Sequence, residues 1–170
     1  MIWGAASMKR KVLAILLMVT LLAGMVIAPV GASAATKVKI LKVTADGARV
    51  RKGPSSAYDV KTSVKKGGKV FYLNKNQNSF AYVRTSTGTN GWMYKGFLSS
   101  YGTCYKSQIY YSKKGGVSVY KKPSTKSKRV TKLSNKQHVI VYQVRGSWAY
   151  IKTLGGTGGY VKKSNLKKAS

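Results

Sequence analysis

Two carboxylates, one thiol and one imidazole are the groups from which this 170-residue chain would assemble acid–base or nucleophilic chemistry: Asp46, Asp59, Cys104 and His138. Cys104 and His138 offer the single Cys/His pairing, the pattern of a thiol activated by a neighbouring base. Such a thiol needs a cationic neighbourhood or a helix N-terminus to lower its pKa, and the segment around Cys104 shows no helical periodicity. An exposed thiol and a surface imidazole are therefore favoured over a catalytic pair. An exposed Cys104 would in turn be able to form an intermolecular disulfide outside the cell. A two-carboxylate glycosidase would need both Asp46 and Asp59. One His, one Cys and two Asp do not close a four-ligand metal site. The sequence thus predicts no catalytic residue, no metal and no cofactor.

Chemistry of another kind is abundant. The chain carries 32 Lys plus Arg against two Asp and no Glu, a net charge of +30, and its aromatics include 12 Tyr. Lys61, Lys65, Lys66 and Lys69, then Lys121, Lys122, Lys126, Lys128, Arg129 and Lys132, recur through turns and strand faces. A charge far above the roughly 2–8 that keeps a small domain soluble points to a polyanionic partner held by counterion release. Ten rings exceed what a small core needs: Tyr58, Phe80, Tyr82, Trp92 and Tyr94, then Tyr120, Tyr142, Trp148, Tyr150 and Tyr160. Taken singly, each is better assigned to packing; as a set, amphipathic rings suit a groove that grips peptide or sugar.

The N-terminal residues read as an address. Lys9, Arg10 and Lys11 precede an apolar run from Val12 to Ala28, followed by Pro29 and the small-residue site Ala32-Ser33-Ala34. This is the order of a secretory signal peptide over residues 1–34, with Met8 a second candidate start. Cleavage would leave 29 basic and two acidic residues, a charge of +27 on an exported protein. Outside a Gram-positive cell the abundant polyanions are teichoic acids and the carboxylates and phosphates of the wall.

What positions these residues is a repeat. At an offset of 69, Ile40 falls on Ile109, Gly47 on Gly116, Val50 on Val119, Pro54 on Pro123, Val64 on Leu133 and Val70 on Val139. After a one-residue loop deletion, the segment from Phe80 to Val83 falls on Trp148 to Ile151, Gly91 on Gly159 and Leu98 on Leu166. Two homologous modules follow, residues 37–100 and 106–168, with a linker over 101–105. Short β-rich runs between Gly, Pro and Asn turn signals give five strands per module and an all-β class, two tandem small barrels. Alternation puts Val70 with Tyr72 on one face of their strand and Phe71 with Leu73 on the other. The expected interior is Val50, Val64, Val70, Val83 and Leu98, with Val119, Leu133, Val139, Ile151 and Leu166.

The run from Ala48 to Ser55, Ala-Arg-Val-Arg-Lys-Gly-Pro-Ser, leads to Val64-Lys-Lys-Gly67, Lys69-Val70, Asn90-Gly91-Trp92 and Leu98. This order resembles the bacterial SH3-like (SH3b) domain, with its pattern L-N-V-R-x-G-P-S, L-x-x-G, V, W-x-x-V, G-W-V and Y-L. The resemblance covers both modules. Arg49 and Ser118 stand where Asn is usual, and Phe80 replaces a Trp that Trp148 keeps. Tyr120 and Lys122 replace the Arg and Gly of the first motif, and Tyr160 replaces the Trp held by Trp92. Module two is the more diverged copy.

The resemblance implies SH3-like barrels of the kind that hold exported proteins to peptidoglycan, through its stem peptide or cross-bridge. The expected protein is non-enzymatic, secreted and wall-associated, with its cationic surface adding retention on teichoic acid. The alternative is an accessory module that positions or modulates a separate wall hydrolase. Binding to nucleic acid, through basic groove and stacking rings, ranks below both.

Overall fold

Apolar and polar residues alternate along the strands, and the backbone follows that pattern. A computed structural model describes residues 35–170; the expected signal peptide, residues 1–34 with its second start at Met8, lies outside the described residues. The first repeat forms β1 (Lys37–Val43), β2 (Ala48–Arg51), β3 (Val60–Val64), β4 (Lys69–Gln77), β5 (Phe80–Arg84), β6 (Asn90–Tyr94) and β7 (Leu98–Tyr105). The second forms β8 (Ile109–Ser112), β9 (Val117–Tyr120), β10 (Arg129–Leu133), β11 (His138–Arg145), β12 (Trp148–Thr153), β13 (Gly158–Lys162) and β14 (Leu166–Lys168). The strand orders are β3-β2-β6-β5-β4-β1-β7 and β10-β9-β13-β12-β11-β8-β14, the same path twice. The described residues are thus all-β, with seven strands per module instead of five. The added β3 (Val-Lys-Thr-Ser-Val) and β7 lack apolar alternation and lie at the sheet edges, where backbone pairing with one neighbour suffices.

Each sheet curls around its own core. In module one Val43, Ala48, Val50, Val70, Ala81, Val83 and Met93 form the cluster, and Val64 and Leu98 from opposite edges pack against it, which a flat sheet would not allow. In module two Val117, Val119, Leu133, Val139, Val141, Ala149, Ile151, Val161 and Leu166 do the same. Burial of each Val, Leu, Ile or Met side chain among them contributes about 1.5–3 kcal/mol. Closure needs one close approach per module. A Cβ on Gly91 would sit 2.6 Å from the Arg51 carbonyl oxygen, and one on Gly159 would sit 2.7 Å from that of Tyr120. The one-residue difference between the repeats is not in a loop. Both β4–β5 and β11–β12 turn through two residues, Asn78-Ser79 and Gly146-Ser147. It lies in a bulge instead, between Tyr72 and Asn76 in module one and between Val141 and Gln143 in module two.

Residues 101–105, expected as a linker, are the second half of β7. They pair with the start of β1, from Lys37 opposite Tyr105 to Ile40 opposite Gly102, and the Lys106 amide then donates to the Thr36 carbonyl at 2.8 Å. Backbone hydrogen bonds, invisible in side-chain patterning, make this segment a two-stranded ribbon. Residues 35–170 accordingly form one compact unit. A third apolar cluster joins the modules: Ile40, Phe71 and Cys104 with Ile109, Ile140, Leu154 and Ala169. Ile40 and Ile109, like Phe71 and Ile140, are equivalent positions of the two repeats. The outward face of β4 that carries Phe71 is thereby covered by the other module.

Candidate functional site

Module one carries an open groove on the face of β2 that points away from its core. Ala48 and Val50 are fully buried, so period-two alternation turns Arg49 and Arg51 outward together, about 6.6 Å apart along the strand. The guanidinium of Arg51 is braced, Nη1 donating to the Tyr58 carbonyl at 2.8 Å. Asp46 stands in the turn before β2, where Gly47 adopts a φ of 62°. Phe80 and Tyr94 are register partners on β5 and β6, their rings T-shaped at 5.8 Å. Phe97 completes an aromatic chain, T-shaped on Tyr94 at 5.2 Å. Its 3-10 turn, Lys95–Phe97, is pinned by the Lys95 amide to the Ser79 carbonyl at 2.8 Å and by the Thr44 amide to the Phe97 carbonyl at 2.9 Å. With Ser56 these residues enclose about 610 Å³. Three rings, two guanidiniums and one carboxylate can stack on a peptide and bind both of its charge signs.

The ten rings expected to share grooves are dispersed. Phe80 and Tyr94 line this groove. Trp92 does not: it is 6% exposed, packed against Tyr82 at 5.1 Å and under the Lys75 ammonium at 5.4 Å. Tyr58 lies over Gly53, where a Cβ would come within 2.5 Å of the ring. Tyr142 faces a separate cleft of about 230 Å³ between the modules, with Lys152 5.6 Å from its ring. Tyr120 and Trp148 form a T-shaped pair at 5.8 Å, and Tyr150 and Tyr160 a tilted one at 5.2 Å. Reading β2 by alternation would have found Arg49 and Arg51; Asp46 and Phe97 lie in turns and gave no periodic signal.

The candidate cations form no single patch. Lys61 and Lys132 lie on the edge strands β3 and β10, and Arg129 opens β10. Lys65 and Lys66 occupy the turn before β4, and Lys121, Lys122, Lys126 and Lys128 the loop between β9 and β10. All of these are exposed, whereas Lys69 is half-buried with its ammonium 4.3 Å from the Tyr101 ring. Charge on an edge strand also discourages edge-to-edge pairing with another chain.

Cys104 and His138, expected at the surface, are both buried in the seam between modules. Burial pushes the Cys104 thiol up to about 11, the opposite of an activated nucleophile, and shields it from intermolecular disulfide exchange. His138 donates its amide to the Ser86 carbonyl of module one at 2.7 Å, and its Nδ1 lies 3.0 Å from the Lys136 carbonyl. Its ring packs against Phe71 and Tyr111. Desolvation and the Arg84 guanidinium hold the imidazole below its ordinary pKa. Asp59 is tied to Lys52 at 2.7 Å, which lowers its pKa. Among the described residues no cluster of three His, Cys, Asp or Glu occurs, and no helix is long and apolar enough to cross a membrane.

The family model for the bacterial SH3 domain matches residues 46–99 and 115–167. No curated protein matches the chain. Solved structures similar to it include NlpC2 from Trichomonas vaginalis (19% identity, 81% of this chain and 50% of that one, TM-score 0.34). Another is an NlpC/P60 family protein from Bacillus cereus (14% identity, 78% of this chain and 56% of that one, TM-score 0.33). The chain thus spans about half the length of these structures.

Proposed function

Because the chain belongs to the bacterial SH3 domain family, whose members are commonly cell-wall binding modules, we propose that it is a non-enzymatic, exported protein that binds peptidoglycan peptide through the groove of module one. The observation that carries this reading is the placement of Phe80, Tyr94 and Phe97 beside Arg49, Arg51 and Asp46 around one open groove. Rings and charges together match a peptide with apolar and ionised groups better than a uniform polyanion, which needs cations alone. The dispersed surface lysines add electrostatic retention on teichoic acid and on wall carboxylates. That second contribution carries no sequence or linkage specificity and falls steeply with salt.

Co-sedimentation with purified sacculi, before and after removal of teichoic acid and across a salt series, tests both parts. Retention that survives stripping and moderate salt is the expected result. Loss of retention on stripped sacculi would leave charge as the sole attachment and end the groove reading.

A further inference from the structure

The two carboxylates of residues 35–170 have different fates. Asp59 is satisfied by Lys52 at 2.7 Å. Asp46 makes no ion pair among the described residues, although residues 35–170 carry 29 Lys and Arg, and it is exposed at the groove wall. A lone carboxylate in so positive a field would be a ready partner for any flexible lysine nearby. Here its groove neighbours are Arg49, on β2, and Arg51, braced by Tyr58.

We propose that Asp46 is the anchor for a primary ammonium of the bound ligand, with Arg49 and Arg51 taking a carboxylate of the same molecule; the ligand class is a zwitterionic peptide bearing a free side-chain amine. The assignment rests on the groove binding proposed above and specifies which peptides it takes. A purely cationic ligand is repelled by the protein as a whole. A purely anionic one gains nothing from Asp46 and finds the lysines elsewhere on the surface. Only a ligand with both signs uses the groove as a whole, its amine at the turn and its carboxylate at β2, and the rings hold the backbone between them. Module two cannot make this selection: Gly115, Ser118 and Tyr120 stand at the positions of Asp46, Arg49 and Arg51.

The test is a two-by-two cycle by calorimetry. The probes are the synthetic stem tetrapeptide Ala-γ-D-Glu-Lys-D-Ala, Nα-acetylated throughout, with its lysine amine free or acetylated. The proteins are the wild-type mature chain and Asp46→Asn, an exposed turn substitution whose folding is checked by thermal melt. Acetylating the amine should weaken binding to wild type about fivefold, the scale of a favourable exposed ion pair. Asp46→Asn should weaken binding of the free amine equally and be indifferent to acetylation. Equal affinity of wild type for both peptides, or an unchanged response to acetylation in Asp46→Asn, overturns the proposal. Sacculus retention run in parallel separates the two failures. If wild type is retained on stripped sacculi while the cycle shows no coupling, the ammonium site alone falls. If retention is absent as well, the groove reading falls with it.

Discussion

Modules one and two share a backbone path and differ at almost every position of the groove face. Gly91 and Gly159 make the same close approach, and equivalent core positions are filled by apolar side chains in each, among them Val50 and Val119, Ala81 and Ala149, Val83 and Ile151, and Met93 and Val161. Around the groove, Arg51 becomes Tyr120, Tyr94 becomes Lys162 and Phe97 becomes Asn165. Phe80 becomes Trp148, and the exchange of Gly53 for Lys122 goes with that of Tyr58 for Ser127, whose hydroxyl now accepts the Lys122 amide at 3.0 Å. Linked exchanges of this kind mark a surface rebuilt as a unit. The lesson is that closure and core fix the fold, while the outward residues of the same strands are free to diverge. In this pair, module one carries the charged groove, and module two covers the Phe71-bearing face of β4 at the seam.

The comparison is tested most severely at the seam, where both copies contribute alike. Phe71→Ala removes a side chain that is 1% exposed and should cost about 3–5 kcal/mol, with urea unfolding splitting into two transitions as the modules uncouple. A single, barely shifted transition would show that the seam does not join them. Gly91→Ala and Gly159→Ala should each cost about 1–3 kcal/mol, because the new methyl meets a backbone carbonyl, and by similar amounts if closure is the same in both copies. Tyr94→Ala should lower retention on stripped sacculis about fivefold, whereas Trp148→Ala should leave it unchanged; equal losses would give module two a binding role.

Titration sharpens the contrast, since His138 occupies the position that Lys69 holds in module one. The folded imidazole has a lowered pKa, so the unfolded chain takes up the proton first as pH falls through 6.5. Stability is therefore complete above that value and declines below it, toward a floor beneath the folded pKa. Thermal melts at pH 7.5 and 5 should show this decline, and His138→Gln should flatten it. At the alkaline end Cys104 adds a loss of stability between its ordinary 9.0 and about 11, and its thiol should resist a disulfide reagent until the protein unfolds. The smallest effect belongs to the exposed Lys52–Asp59 pair: Asp59→Asn should leave the melting temperature unchanged within error.

The repeat and the two cores were legible because burial on one face leaves apolar residues at a fixed offset. The seam was half legible. Val70-Phe71 and Val139-Ile140-Val141 are consecutive apolar residues, as strands covered on both faces require, but nothing in a strand says what covers its second face. The ribbon at 101–105 was hidden because main-chain pairing holds it, which side-chain patterning does not report. Of the groove, Phe80 and Tyr94 stood out as aromatics. Trp92, two residues before Tyr94 on β6, was misplaced because Tyr82 and Lys75 close over it, a tertiary event.

The ribbon between β1 and β7 also decides how the protein yields to tension. Residues 36 and 106 emerge side by side at the same end of that pair, and Ala169 near the other terminus is packed in the seam. A pull on the segment before β1 therefore loads the hydrogen bonds one after another, from Lys37–Tyr105 inward, in the manner of a zipper and not of a sheared lap joint. Strain is released first at the junction of the modules, and it reaches the groove when the peeling arrives at the Val43–Leu98 pair and the Thr44–Phe97 hydrogen bond beyond it.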